Sequence, residues 1–208
     1  MRVLVIGAAG RTGKHVVERA LGHGHDVTAF IHKTPLEISN ERLTSVVGDV
    51  RDFESVSAAV LGKQAVAFAI SQGSGSGPDV HEVGIANVIH AMAESMVSRL
   101  AAVSAAGTFA RKNRNLTIKQ RALAATALHV VYNDLEAMEL RIMASDLDWT
   151  IVRPVALTND PPSGQYRVSM DGQVPVKSSK ISRADVASLV VKALETDTYW
   201  RRSVTIAN

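Results

Sequence analysis

The sequence predicts an α/β fold, a single doubly wound parallel sheet with helices on both faces. It is expected to span residues 1–208 as one domain, with a small hairpin near the C-terminus on the substrate side. Three observations carry this prediction. The apolar run Val3-Leu4-Val5-Ile6 enters a glycine-rich turn and then a helical pattern, which reads as strand, tight turn and helix. Further short apolar runs alternate with helical patterns along the chain, the order that parallel βαβ units produce. The 208 residues suffice for one such sheet with a substantial core but not for a second full domain.

Gly7, Gly10 and Gly13 stand three apart in the turn. Gly7 permits the sharp bend, Gly10 lets the backbone approach a phosphate with no Cβ in the way, and Gly13 lets the helix pack close on the strand. Backbone N–H groups at the helix start suit a pyrophosphate, and Val16, Val17, Ala20 and Leu21 continue the helix. Gly7, Ala9, Gly10, Arg11, Thr12 and Gly13 are therefore the expected contacts of a dinucleotide on a Rossmann-type sheet. The spacing G-x-x-G-x-x-G resembles the extended and atypical members of the short-chain dehydrogenase/reductase superfamily.

Composition narrows the partners. No apolar run approaches the roughly 20 residues of a membrane span. With the first strand at the N-terminus no signal peptide is expected, and a cytoplasmic protein is. Cysteine is absent, which removes disulfides, thiolate catalysis and cysteine-ligated metal, and no metal site is expected. A formal charge of +3 and an aromatic content of 4% lack the dense basic stripe with interleaved aromatics of a nucleic-acid binder.

The second strand, Val27 to Ile31, ends in His32 and Lys33, where an NAD-preferring site would place an acid for the ribose hydroxyl. Cations there suit a 2′-phosphate, and Arg11 could add a charge on the same side, so NADP(H) is the expected cofactor. His23 and His25 read as solvated turn residues. Leu43 to Val47 is the third strand, and Asp52 reads as the N-cap of a helix starting near Phe53. Gln64 to Ile70 is the fourth, and Ile70 and Ser71 open a loop expected to line the cofactor crevice. A helix should run from Pro78 and Asp79 through Met96, and a fifth strand from Arg99 to Gly107. The basic segment 107–131 reads equally as a lid or as solvated surface. A helix from Tyr132 to Met143, a sixth strand from Trp149 to Val155, a hairpin from Gly164 to Pro175, a helix capped by Ser182 with Asp185, and a last strand at Val204 to Ile206 complete the chain.

The glycine turn, the missing acid after the second strand, Gly48-Asp49-Val50, Val103-Ser104-Ala105, Arg153-Pro154 and the Tyr166 to Pro175 stretch follow in order. Together they resemble the flavin reductase/biliverdin-IX-beta reductase group of atypical short-chain dehydrogenases/reductases. The resemblance implies that Asp49 and Val50 touch the adenine, that Ser104 stands beside the nicotinamide as the catalytic-site hydroxyl, and that Arg153, Pro154 and Val155 meet the carboxamide. It also implies hydride transfer from NADPH to a planar acceptor, a flavin, quinone or bilin, with FMN or FAD as candidate substrates. Typical superfamily members add a Tyr-x-x-x-Lys pair. Here the residues four after the three tyrosines are Glu136, Met170 and Ser203, so acid–base chemistry on an alcohol or sugar carbon is disfavoured. Where the mammalian member of the group carries histidines near its substrate, this chain has Leu135, Glu139 and Ala156, which turns the expectation from bilins toward flavins and quinones. The alternative is an NmrA-like redox sensor that binds NADP without turnover.

Overall fold

In the computed structural model, the residues described are 1–71, 77–108, 129–170 and 180–208. The strands are β1 (Arg2–Ile6), β2 (Asp26–Ile31), β3 (Leu43–Val47), β4 (Ala65–Phe68), β5 (Arg99–Val103), β6 (Asp148–Pro154), β7 (Ala156–Thr158), β8 (Arg167–Ser169), β9 (Lys180–Ser182) and β10 (Arg202–Ala207). The helices, numbered in chain order, are α1 (Gly13–Gly22), α2 (Phe53–Val60), α3 (Val80–Glu94), α4 (His129–Met143) and α5 (Arg183–Glu195).

The main sheet runs β3-β2-β1-β4-β5-β6-β10-β8. All neighbours are parallel except the β8–β10 edge. This is the doubly wound sheet expected. Successive side chains of a strand point to opposite faces, and β1 shows the result. Val3 and Val5 join the core beneath α1 and α5, whereas Leu4 and Ile6 join the core beneath α2, α3 and α4. The strand order reverses beside β1, and there the connections from β1 to α1 and from β4 to α3 leave for opposite faces of the sheet and open a crevice.

Local signals fixed several ends as expected. Asp52 caps α2 by accepting from Glu54 N, and Ser182 caps α5 by accepting from Asp185 N at 3.0 Å. Helix α3 is capped differently. Its N-cap residue Asp79 makes no side-chain cap bond, and Asp134 of α4 accepts instead from the backbone N–H of His81 and Glu82 at 3.0 and 2.8 Å. Among the described residues, no helix is long and apolar enough to cross a membrane.

One expectation needs correction, and two strand pairings were not foreseen. His23 is an exposed turn residue as expected, but His25 is buried. The end of α5 packs beside that turn, and Glu195 Oε1 bonds His23 Nδ1 and His25 Nε2, each at 2.8 Å. Of the expected hairpin, the turn and second arm lie in 171–179, outside the described residues; its first arm, β8, pairs antiparallel with β10, whose edge beyond β6 offers unpaired backbone groups, a pairing that was not foreseen. A separate two-stranded parallel sheet, β7 with β9, was not foreseen. Most of the 107–131 segment also lies outside the described residues.

Candidate functional site

The turn after β1 is shaped by contacts that admit no side chain. Gly7 has φ +80°, and a Cβ there would stand 2.7 Å from the carbonyl oxygen of Ala69, just past β4. A Cβ at Gly13 would collide with the Gly7 carbonyl. At Gly10 a Cβ would stand 3.0 Å from the same oxygen, a tight but less severe approach. The Gly7 and Ala8 N–H groups both donate to Phe30 O at 3.2 and 3.3 Å, tying the turn to β2. Thr12 makes no side-chain cap bond and the first turn of α1 holds no acid, so the positive end of the helix dipole is not neutralised there.

Below the turn lies a cavity of about 430 Å³ at the C-terminal ends of β1 to β4. Gly7, Ala9, Gly10, His32, Lys33, Asp49, Val50, Ile70 and Ser71 all line it, as the sequence leads one to expect of an adenosine pocket. The backbone cradle and the cations at the end of β2 fit the adenosine half of a dinucleotide. Asp49 accepts from Arg51 N at 2.9 Å, and its other oxygen lies 3.8 Å from His32 Nε2. Val50 is fastened by Asn87 Nδ2, which donates to its carbonyl at 3.0 Å. Arg51 also lines the cavity and pairs with Asp79 at 2.5 Å, which holds the Asp79 carboxyl below its ordinary range. The sequence reading passed over Arg51, although it directly follows two assigned residues.

One wall rests on a buried pair that was also missed. His81 Nδ1 and Asp134 Oδ2 are 2.7 Å apart, with His81 Nε2 3.3 Å from Ile70 O. Burial would raise the Asp134 pKa, but the hydrogen bonds from the His81 side chain and from the backbone of His81 and Glu82 outweigh it and hold the group ionised.

Arg11, expected on the same side as His32 and Lys33, is not among the residues that line this cavity. Because α1 packs against α5, the turn brings Arg11 to the start of α5. There burial, with the Arg11 charge as a second cause, depresses the pKa of Arg183.

A second cluster lies where β5 and β6 end. Ser104 N donates to Val152 O and Ala106 N to Pro154 O, so the chain past β5 stays zipped to β6. Ser104 Oγ is 2.5 Å from Glu139 Oε1 and 3.1 Å from Thr108 Oγ1. Arg153 grips Glu139 with Nε at 3.1 and 3.0 Å from its two oxygens and with Nη2 on Oε2. Ser104, expected at the catalytic end, is therefore in a polar cluster, and the Arg153 side chain is turned to Glu139. Thr12, Gly13, Pro154 and Val155 line neither the adenosine cavity nor this cluster through side-chain bonds. Glu139 was read only as a departure from a family pattern. Its signal was present: Leu135, Met138 and Ile142 form the buried stripe of α4, and Glu139 sits within that stripe. Tyr132 packs against Gly107, where a Cβ would stand 2.5 Å from the phenol oxygen, but Glu136 and not lysine follows one turn later.

Comparison with known proteins agrees with this geometry. The family model described as NAD(P)H-binding matches residues 7–197. A Bacillus subtilis protein named as an uncharacterised sugar epimerase is 30% identical over 203 residues, covering 94% of this chain and 88% of its own. A short-chain dehydrogenase/reductase from Veillonella parvula, solved in complex with NADP, superposes with TM-score 0.82 at 19% identity, covering 100% of this chain and 94% of that one. A Streptococcus pneumoniae protein proposed to be an NADH-flavin reductase superposes with TM-score 0.78 at 22% identity, covering 100% and 99%. The chain therefore belongs to the NAD(P)H-binding family and has the fold of the short-chain dehydrogenases/reductases.

Proposed function

We propose that this protein is an NADPH-dependent reductase that delivers hydride to a planar conjugated acceptor, a flavin or quinone before a bilin. One observation carries the reading: a dinucleotide turn and adenosine cavity lead to a catalytic end with no Tyr-x-x-x-Lys pair, where the polar groups among the described residues are Ser104, Thr108 and an Arg153-bound Glu139. When bound, NADPH supplies the hydride. A conjugated acceptor takes it at a ring position, and its proton can come from water, so the chain has to bind, orient and exclude more than it has to titrate. Gly7, Ala9, Gly10, Thr12 and Gly13 would cradle the pyrophosphate, with His32 and Lys33 facing a 2′-phosphate and Asp49, Val50, Ile70 and Ser71 enclosing the adenine. Ser104, Pro154 and Val155 would flank the nicotinamide.

The name of the Bacillus relative raises epimerisation of a sugar, which needs a positioned group to move protons or hydride at an alcohol carbon. The missing lysine after Tyr132 speaks against it. The same missing tyrosine–lysine pair favours, as a second reading, an NmrA-like sensor that binds NADP(H) and acts through a protein partner. Oxidation of NADPH in the presence of FMN, a simple quinone or biliverdin separates the readings. Stereospecifically deuterated NADPH should give labelled product or a primary isotope effect. Tight NADPH binding with no acceptor reduced removes the reductase and leaves the sensor.

A further inference from the structure

Glu139 is fully buried, and Arg153 meets both of its oxygens through a two-nitrogen fork. Such a fork matches an ionised carboxylate, and an ionised carboxylate only accepts hydrogen bonds. The 2.5 Å bond between Ser104 Oγ and Glu139 Oε1 therefore has serine as its donor. A hydroxyl has one proton. With that proton committed, the 3.1 Å contact with Thr108 Oγ1 has threonine as donor, and among the described residues one lone pair of Ser104 remains.

We propose that Glu139, held by Arg153, fixes the polarity of Ser104 so that this hydroxyl meets a bound molecule as a hydrogen-bond acceptor and selects an N–H group. Glu139 and Arg153 are positioning residues that act through Ser104. Two bound molecules offer the required chemistry, the carboxamide of a nicotinamide and a ring N–H of the acceptor; the second source rests on the reductase reading. A flavin carries such a ring N–H. A simple quinone presents only carbonyl oxygens, which the Ser104 lone pair cannot bond, so the arrangement favours N–H-bearing heterocycles over quinones.

The test uses the full chain and the variants Ser104→Ala, Glu139→Gln and their combination. Affinities are measured for NADPH and for 2′,5′-ADP, which lacks the nicotinamide, and KM is measured for FMN and a simple quinone at saturating NADPH. Glutamine can donate to Ser104 and so reverse the bond, and both single variants should lose the same interaction. If the carboxamide is the source, NADPH affinity falls roughly fivefold; if the acceptor ring is, KM for FMN rises by a similar factor. In either case 2′,5′-ADP affinity and quinone KM stay unchanged, and the double variant is no worse than the worse single one. Should Glu139→Gln fail to fold, Arg153→Met, which removes the cation facing Glu139 and lets its carboxyl carry a proton toward Ser104, takes its place. Equal weakening of every ligand, additive effects, or no change in either NADPH affinity or FMN KM overturns the proposal. If the unaltered protein reduces no acceptor, the reductase reading has failed, and the comparison of NADPH with 2′,5′-ADP alone decides the role of Ser104.

Discussion

The two ends of the crevice are built from different materials. At the adenosine end, backbone does the shaping: Gly7, Gly10 and Gly13 fold within van der Waals reach of carbonyl oxygens, and of the nearby polar side chains His32 and Lys33 are exposed and Asp49 is half-buried. At the β5–β6 end, side chains do it: Ser104, Thr108 and Glu139 are buried and bonded to one another, with Arg153 closing the group. A site made of backbone tolerates loss of any exposed charge but not an added Cβ. A site made of buried polar side chains depends on each member, because removal of one leaves the others without partners in a low-dielectric interior.

The largest expected effect is at the side-chain end. Glu139→Ala leaves the Arg153 guanidinium, largely shielded from water, without its carboxylate and should lower unfolding free energy by about 3 kcal/mol, measured by urea titration. A loss below about 1 kcal/mol would show that water or another group replaces Glu139, and the contrast between the two ends would weaken.

Gly10→Ala tests the other material. The added Cβ needs a shift of a few tenths of an ångström against Gly7 O, so stability should change by about 1 kcal/mol or less. The same Cβ stands in the path of a phosphate, and NADPH affinity should fall roughly tenfold or more by calorimetry. Stability and affinity lost in proportion would mean that this turn is a packing element only.

Lys33→Asp reverses an exposed charge at the mouth of the adenosine cavity, and a smaller, selective change is expected. The NADPH:NADH affinity ratio should drop by roughly tenfold, with NADH binding little altered. An unchanged ratio would remove Lys33 from the 2′-phosphate site and leave His32 as the cation there.

The smallest effect is with acid. Asp185 is 1% exposed; burial would raise its pKa, but donors from Ser163, Ser182 and Gly164 outweigh this and lower it below the ordinary 3.8. Asp134 is lowered in the same way. A carboxylate depressed in the folded state contributes stability above its unfolded pKa and loses it as pH falls through the folded value. Urea midpoints should therefore be level from neutrality down to about pH 4 for these two groups and then decline. Asp185→Asn should flatten the decline; an unaltered slope would assign the acid sensitivity to other carboxylates.

How much of this was legible follows from the distance over which each feature is specified. The glycine turn, the cap at Asp52, the capping pair Ser182 and Asp185, and the run Leu43–Val47 each depend on residues a few positions apart, so spacing alone reports them. His32, Lys33, Asp49 and Ile70 were legible at one remove, because parallel strands deliver their C-terminal ends to one edge. The pairing of β8 with β10 was not, since a short strand takes whichever edge the finished sheet leaves open.

The amino-acid sequence by itself determined the doubly wound parallel sheet, the dinucleotide turn and the absence of a Tyr-x-x-x-Lys pair, since each is written in residue type and local spacing. Tertiary structure alone decided that Ser104 meets Glu139, 35 residues away, that Asp134 caps a helix 53 residues before it, and that His23 shares Glu195 with His25 across 172 and 170 residues. It also brought the Arg11 charge to bear on Arg183. For the buried groups Ser104, Glu139, Asp134 and His25 the physical reason is common. A buried polar group must find a partner once packing removes water, and which partner it finds is set by the helix faces that the sheet brings together, not by its neighbours along the chain.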